Sequence, residues 1–209
     1  MRQSRSQRVN VRCLSKKETP RCRPRWHTGL VILLISGSLR AGSVNAAVIA
    51  TAAGFAPSTV YGGLDGLPHF NPDRDRDPLP DEVSALRAAI GAADGVLFCT
   101  PEYAGGLPGS FKNLLDWTIG GGEMYGKPVA WINASSVAAP TGGADAHESL
   151  RKTLTYAGTR IVDDACARIP IPRQAVENGA LIDPDLRGRV AVAVRRLVEA
   201  AKPAKPGNP

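Results

Sequence analysis

The sequence predicts an α/β fold in which an open, five-stranded parallel sheet is covered by helices on both faces. Short apolar runs alternate along the chain with segments of helical periodicity, which is typical of βαβ units. The first run, LVILLIS at residues 30–36, is apolar throughout, as expected for a strand that is buried on both sides. A chain of 209 residues is long enough for one such domain.

Four of the predicted strands are bounded by glycine, proline or polar residues, at 30–36, 58–61, 95–100 and 128–133. Two segments, 160–162 and 165–171, compete for the fifth strand. Right-handed crossovers between parallel strands bring their carboxyl ends to one edge of the sheet, where ligands of such folds bind.

Helical periodicity predicts a helix after each strand. The first spans Ser43 or Val44 to 53, the second 80–93 with Pro80 in its first turn, and the fourth 145–158. The third has its apolar face at Phe111, Leu114, Leu115 and Ile119. Asp183 is expected to cap the last helix, because a proline follows it.

The positive charge lies almost entirely in the first 28 residues. The whole chain has a net charge of +7 and an isoelectric point of about 9.5. Residues 1–28 contain nine Lys or Arg and one acid, so the remainder is nearly neutral. We therefore expect a disordered basic extension at 1–28, a folded domain at 29–201 and a disordered tail at 202–209. No specific nucleic-acid binding is expected of the folded domain.

Two features of the sequence indicate where in the cell the protein is expected. Its apolar runs are all shorter than the ~18 to 20 residues that span a bilayer. The basic leader lacks the apolar core of a secretory signal, so a cytoplasmic protein without a membrane segment is expected.

The loop after the first strand, SGSLRAGSVN at 36–45, has the composition of a phosphate site. It matches neither the dinucleotide fingerprint nor the Walker loop. It nevertheless brings together hydroxyls (Ser38, Ser43), a guanidinium (Arg40), an amide (Asn45) and a helix N-terminus, which are donors that suit an anion. The alternative is a tight turn in which Ser43 only caps the helix.

The loop after the third strand, TPEYAGGLPG at 100–109, is rich in proline and glycine. Such a turn allows backbone N–H groups to approach a flat ring closely. For the side chains other interpretations stay open. Glu102 is either a ligand-site residue or a solvated loop acid, Tyr103 either covers a ring or lies on the rim, and Trp117 is either a core or an interface residue.

Together, GSLRAGSVN, TPEYAGGLPGSFKNLLDW and GKPVAWINASS followed by TGGADAHESLR resemble the NADPH-dependent FMN reductase family. That family is flavodoxin-like and includes flavin, quinone, azo-dye and chromate reductases. The resemblance covers about residues 30–173. It implies a flavodoxin-like fold, bound FMN, NADPH as co-substrate and a homodimer or homotetramer.

The resemblance also implies roles for individual residues. Contacts to the FMN phosphate are implied for Ser38, Arg40, Ser43 and Asn45. Contacts to the isoalloxazine, largely through backbone, are implied for Pro101, Glu102, Tyr103, Ala104 and Gly105. Ser135 would close the pocket from the side of the fourth strand. Many family members have Asn where this chain has Ala104, so a side-chain amide is missing there.

The implied function is hydride transfer from NADPH, via bound FMN, to flavin, quinone or a similar small acceptor. NADPH and the acceptor would use the site in turn, and neither a catalytic side chain nor a metal is expected. The alternative is a flavodoxin-like electron carrier without NADPH oxidase activity. Such carriers are usually strongly acidic, so the nearly neutral domain and Arg40 argue against a carrier.

Overall fold

We describe the fold from a computed structural model, in which residues 12–13, 29–40, 42–134 and 140–203 are described. The main sheet is parallel throughout, with strand order β1-β3-β2-β4-β5-β6 and β7 also paired to β5. Its strands are β1 (Arg12–Cys13), β2 (Ile32–Ser36), β3 (Ser58–Tyr61), β4 (Gly95–Thr100), β5 (Pro128–Asn133), β6 (Arg160–Ile161) and β7 (Ala167–Arg168). A small antiparallel hairpin follows, β8 (Val176–Glu177) and β9 (Ala180–Leu181).

The predicted flavodoxin-like sheet is confirmed, with two additions. Arg12–Cys13 extends the sheet beyond β3, in a segment for which the sequence predicts no strand. Both candidates for the fifth strand are used, because the short turn Asp163–Ala165 interrupts the chain between them. As a result, β6 pairs with the start of β5 and β7 pairs with its end.

Helices cover both faces of the sheet. They are α1 (Val44–Ala52), α2 (Asp81–Ala92), α3 (Gly109–Asp116), α4 (Ala144–Tyr156) and α5 (Pro184–Ala201). Because successive side chains of a strand point to opposite faces, Leu34 packs with α1 and α5, while Leu33 packs with α2, α3 and α4. This burial on both faces is the reason that the strands read as continuous apolar runs.

Helix ends differ from the prediction in detail. Pro80 lies before the first turn of α2, where its extended backbone (ψ 141°) makes it the N-cap. Helix α3 ends at Asp116, so Ile119 lies beyond it and is 39% exposed instead of contributing to the apolar face. Asp183 caps α5 as predicted, accepting hydrogen bonds from the backbone N–H of Asp185 and Leu186.

The strand order shows where a ligand site is expected. The chain moves from β2 to β3 on one side and then returns to place β4 on the other side of β2. The loops that leave β2 and β4 therefore diverge from adjacent strand ends, which is the place where open α/β sheets bind ligands. Among the described residues, no helix is long and apolar enough to cross a membrane.

Candidate functional site

The loops after β2 and β4 lie side by side at the carboxyl edge of the sheet. Ser36 is in register with Cys99, and the Gly37 N–H donates to the Cys99 carbonyl at 2.8 Å. A Cβ atom on Gly37 would lie 2.9 Å from Phe111 Cγ and from Thr100 Oγ1. Only glycine therefore allows the first loop to pass this close to the start of the second.

In the first loop, the serine hydroxyls order the backbone. Ser43 is 4% exposed, and its Oγ accepts a hydrogen bond from the Ala46 N–H at 3.0 Å, which caps α1. Ser38 Oγ accepts from the Arg40 N–H at 3.3 Å. A hydroxyl that accepts in this way keeps its own O–H as a donor. Capping and anion binding are therefore compatible roles for Ser43.

Asn45 is held by a partner that sequence reasoning missed. It is 5% exposed, and its Oδ1 lies 3.2 Å from Cys99 Sγ. Burial raises the pKa of the Cys99 thiol far above its usual range, so the thiol is a protonated donor. Because Oδ1 accepts from this thiol, the remaining polar group of Asn45 is an N–H donor. No local pattern signals the contact, since 54 residues separate the pair.

The second loop forms a tight turn. Tyr103 and Gly106 exchange backbone hydrogen bonds, both at 3.0 Å. The two central residues, Ala104 and Gly105, have φ of 50° and 70°. Positive φ at both positions is the geometry of a type I′ turn, which favours Asn-Gly. Ala104 therefore adopts a conformation that asparagine or glycine would tolerate better. Tyr103 is 52% exposed beside it.

The carboxylate of Glu102 binds the start of α4. Its Oε2 accepts from the Ala146 N–H at 2.9 Å, and Oε1 accepts from the Thr141 hydroxyl. The residue before the helix is Gly143, which has no side chain to cap it. Partial desolvation acts to raise the pKa of Glu102, but hydrogen bonds from Thr141, Ala146 and the Asp145 N–H lower it below its usual value. The Glu102 carboxylate thus braces the loop against α4 instead of standing free of protein partners.

Two residues of the KNLLDW motif anchor the long segment between β3 and α2. Trp117 is fully buried and donates from Nε1 to the Pro68 carbonyl at 2.8 Å. Asn113 donates to the same carbonyl at 2.9 Å and accepts from the Phe70 N–H at 2.7 Å. His69 is exposed between these contacts. Trp117 is therefore a core residue that anchors the segment between β3 and α2.

A cavity of about 350 Å³ opens beside the first loop. It is lined by Arg40, Gly42, Val44, Arg173 and Val176. Arg40 was predicted as a site residue, but Arg173 was not. The sequence signal for Arg173 is weak, because it lies more than 130 positions after Arg40 in a proline-rich stretch.

A second cavity, of about 320 Å³, lies against α4 and is lined by Ala144, His147, Glu148, Arg151 and Arg168. The His147 ring meets the Trp131 ring edge to face at 4.9 Å. Burial, together with the charges of Arg168 and Arg151, lowers the pKa of His147 to about 4. The imidazole is therefore neutral at pH 7.

Nine of the predicted site residues lie on the two adjacent loops or at the start of α1: Ser38, Arg40, Ser43, Asn45, Pro101, Glu102, Tyr103, Ala104 and Gly105. The tenth, Ser135, lies outside the described residues. Within the part of the chain that the structure describes, no three His, Cys, Asp or Glu residues group as metal ligands would.

Known proteins match most of the chain in sequence and in fold. A family model described as NADPH-dependent FMN reductase matches residues 30–170. An NAD(P)H-dependent FMN reductase of Pseudomonas aeruginosa is 36% identical over 172 residues, covering 79% of this chain and 92% of the relative. A 2-hydroxy-1,4-benzoquinone reductase of a Burkholderia species is 33% identical over 165 residues, covering 76% of this chain and 88% of the relative. The structure of FerB, a flavoenzyme NAD(P)H:(acceptor) oxidoreductase of Paracoccus denitrificans, has a TM-score of 0.69 at 29% identity, covering 81% of this chain and 98% of that one.

Proposed function

The chain belongs to the NADPH-dependent FMN reductase family, and we propose that it oxidises NAD(P)H and passes the hydride, through bound FMN, to a small acceptor such as a flavin or a quinone. The observation that carries the proposal is the pairing of a donor-rich loop with a glycine-rich turn at the point where the strand order reverses.

The first loop suits the phosphate of FMN. Ser38 and Ser43 offer hydroxyls, Asn45 offers an amide N–H and Arg40 offers an exposed guanidinium beside the N-terminus of α1. Every one of these groups donates, and no carboxylate belongs to the loop. Such a set suits a dianion, because each contact is a charge-assisted hydrogen bond.

The second loop suits the flat ring system. We assign this role to Pro101, Glu102, Tyr103, Ala104 and Gly105, acting mainly through the backbone. The Glu102 carboxylate holds the loop against α4, so the backbone of the turn is fixed before any ligand arrives. Ser135 is proposed to close the pocket from the β5 side.

Bound FMN supplies the hydride-accepting and hydride-donating chemistry, so we assign no acid or base role to a side chain. The residues position the substrates and offer N–H donors where negative charge develops on the ring. The names of the relatives, an FMN reductase and a benzoquinone reductase, support flavins and quinones as the acceptor classes.

Steady-state turnover tests the proposal against the electron-carrier alternative. The purified full chain is mixed with NADPH or NADH and a quinone, and oxidation of the nicotinamide is followed by absorbance. A reductase gives multiple turnovers that depend on the quinone. A protein that binds FMN yet oxidises neither nucleotide is a carrier, and that result overturns the proposal.

We also propose a cytoplasmic homodimer or homotetramer in which residues 29–201 form the catalytic domain and residues 1–28 are a basic extension, of which Arg12–Cys13 pairs with β3. The support for the assembly is the resemblance to the family. Light scattering coupled to size exclusion, on the full chain and on a chain lacking residues 1–28, measures the assembly state and the contribution of the extension.

A further inference from the structure

Arg173 reaches the first loop through the packing of a distant segment. It begins the short turn Arg173–Ala175, which precedes the β8–β9 hairpin. This segment lies against α1, where the Leu181 N–H donates to Thr51 Oγ1 at 3.0 Å. Ala175 and Leu181 are buried in the same apolar cluster as Val48 of α1. The position of Arg173 is thus fixed by a packed element.

Arg173 and Arg40 line one cavity, together with Gly42, Val44 and Val176. No acidic side chain lines that cavity. Within the described ranges, neither guanidinium has a hydrogen-bond or ion-pair partner, whereas Arg87 pairs with Asp75 at 2.6 Å. Two uncompensated positive charges that face one cavity favour an anion between them.

We propose that Arg173 is a second guanidinium for the phosphate of FMN, opposite Arg40. This inference rests on the proposed function and adds a residue to the binding site. A phosphate monoester carries close to two negative charges at neutral pH, so two cations match it better than one. Guanidinium groups suit this role because their planar fork offers two parallel donors to phosphate oxygens.

The test compares FMN with riboflavin, which has the same ring system but no phosphate. The full-length protein is freed of flavin, and binding of each is measured by quenching of flavin fluorescence. For Arg173→Ala the Kd for FMN is expected to rise about 10- to 100-fold, the loss of one charge-assisted contact. The Kd for riboflavin stays within about twofold, because the contact is to phosphate alone.

Two further variants sharpen the result. Arg173→Lys retains the charge without the fork, so its Kd for FMN lies between those of the wild type and Arg173→Ala. Arg195→Ala removes the same charge from an exposed position on α5, and leaves both flavins bound as in the wild type. Added salt weakens FMN binding more in the wild type than in Arg173→Ala, because one ionic contact fewer is screened.

Three outcomes overturn the inference. The first is an unchanged Kd for FMN in Arg173→Ala. The second is equal weakening of FMN and riboflavin, which assigns Arg173 a structural role only. The third is unchanged FMN binding with a raised KM for NADPH but not for NADH, which assigns the cavity to the phosphate of the nucleotide. Failure of the proposed function looks different, since the wild type would then either bind neither flavin or bind FMN without oxidising NADPH or NADH.

Discussion

The loops that leave β2 and β4 are neighbours at one sheet edge, yet they use their side chains in different ways. In the first loop, Arg40 is exposed and free of acidic partners among the described residues, and Ser43 caps a helix while keeping a donor. In the second loop, the Glu102 carboxylate accepts a hydrogen bond from the start of α4. The backbone of the turn is therefore what this loop offers to a ligand. A motif residue at a ligand site can therefore act through its side chain, its backbone or the loop that it braces.

This difference predicts two classes of variant. Changes in the first loop are expected to weaken cofactor binding with modest effects on stability. Changes in the second loop and its support on α4 are expected to alter stability with modest effects on binding.

The largest effect is expected for Arg40→Ala combined with Ser43→Ala. Two charge-assisted hydrogen bonds, each contributing about 1.5 to 3 kcal/mol, are lost, so the Kd for FMN is expected to rise about 100-fold or more. Fluorescence titration measures the change. The single variant Ser43→Ala serves as control, since loss of the α1 cap lowers the unfolding free energy by about 1 kcal/mol. Unchanged flavin stoichiometry in the double variant would contradict the phosphate role.

Glu102→Ala is expected to show the opposite pattern. It leaves the N–H groups at the start of α4 without their acceptor, so the unfolding free energy falls by about 1 to 2 kcal/mol. Urea denaturation measures this loss of stability. The Kd for FMN is expected to change by less than about threefold, which is much less than the change expected when a charged contact to FMN is lost. Glu148→Ala, at an exposed position on the same helix, should leave both quantities unchanged. A large loss of FMN binding at unchanged stability would show that the Glu102 side chain binds FMN and does not brace the loop.

The pH dependence of stability is expected to come partly from α4. The pKa of His147 is lowered from 6.5 to about 4 in the folded state, so as pH falls from about 6.5 to 4 only the unfolded state gains the proton. Folding therefore loses stability through that window, by about 1 kcal/mol once solvent screening of the half-buried ring is allowed for. Urea denaturation at pH 7 and at pH 5 measures the loss.

The control for this pH effect is a pair of variants. His147→Gln removes the titrating group, so the loss between pH 7 and pH 5 is expected to shrink. His69→Gln changes an exposed histidine and should keep the loss as in the wild type. Equal pH profiles for the two variants would show that His147 is not the group responsible.

The smallest effect is expected in the turn itself. Ala104 has φ of 50°, so Ala104→Asn or Ala104→Gly is expected to raise the unfolding free energy by about 0.5 to 1 kcal/mol. Thermal unfolding measures the shift. Ala88→Gly, at an exposed position inside α2, is the matched control and should destabilise by about the same amount. Destabilisation in both positions would mean that the turn does not strain Ala104.

The sequence predicts the fold well where local signals decide it. The strands at Ser58–Tyr61, Gly95–Thr100 and Pro128–Asn133 have the predicted bounds, because each apolar run is closed by a turn residue or a polar group. The split of the fifth strand is not predictable in this way. It depends on how the Asp163–Ala165 turn packs against α5.

The loops of the candidate site can be predicted from the sequence, but the long-range contacts that hold them cannot. The composition of each loop makes it a candidate, the first for binding a phosphate and the second for binding a flat ring. The contact from Glu102 to Ala146 joins residues 44 positions apart, and that from Cys99 to Asn45 joins residues 54 apart. Arg173 lines the same cavity as Arg40 only because the hairpin packs on α1. Such contacts follow from tertiary packing, which local spacing does not encode.

The visible spectrum of the purified full-length protein, before and after anaerobic addition of NADPH, tests the central claim most directly. We predict a yellow protein with flavin absorption bands that bleach when NADPH or NADH is added and return on exposure to a quinone. A colourless protein that remains colourless after incubation with excess FMN and removal of the unbound flavin would contradict the assignment of these two loops as a flavin site.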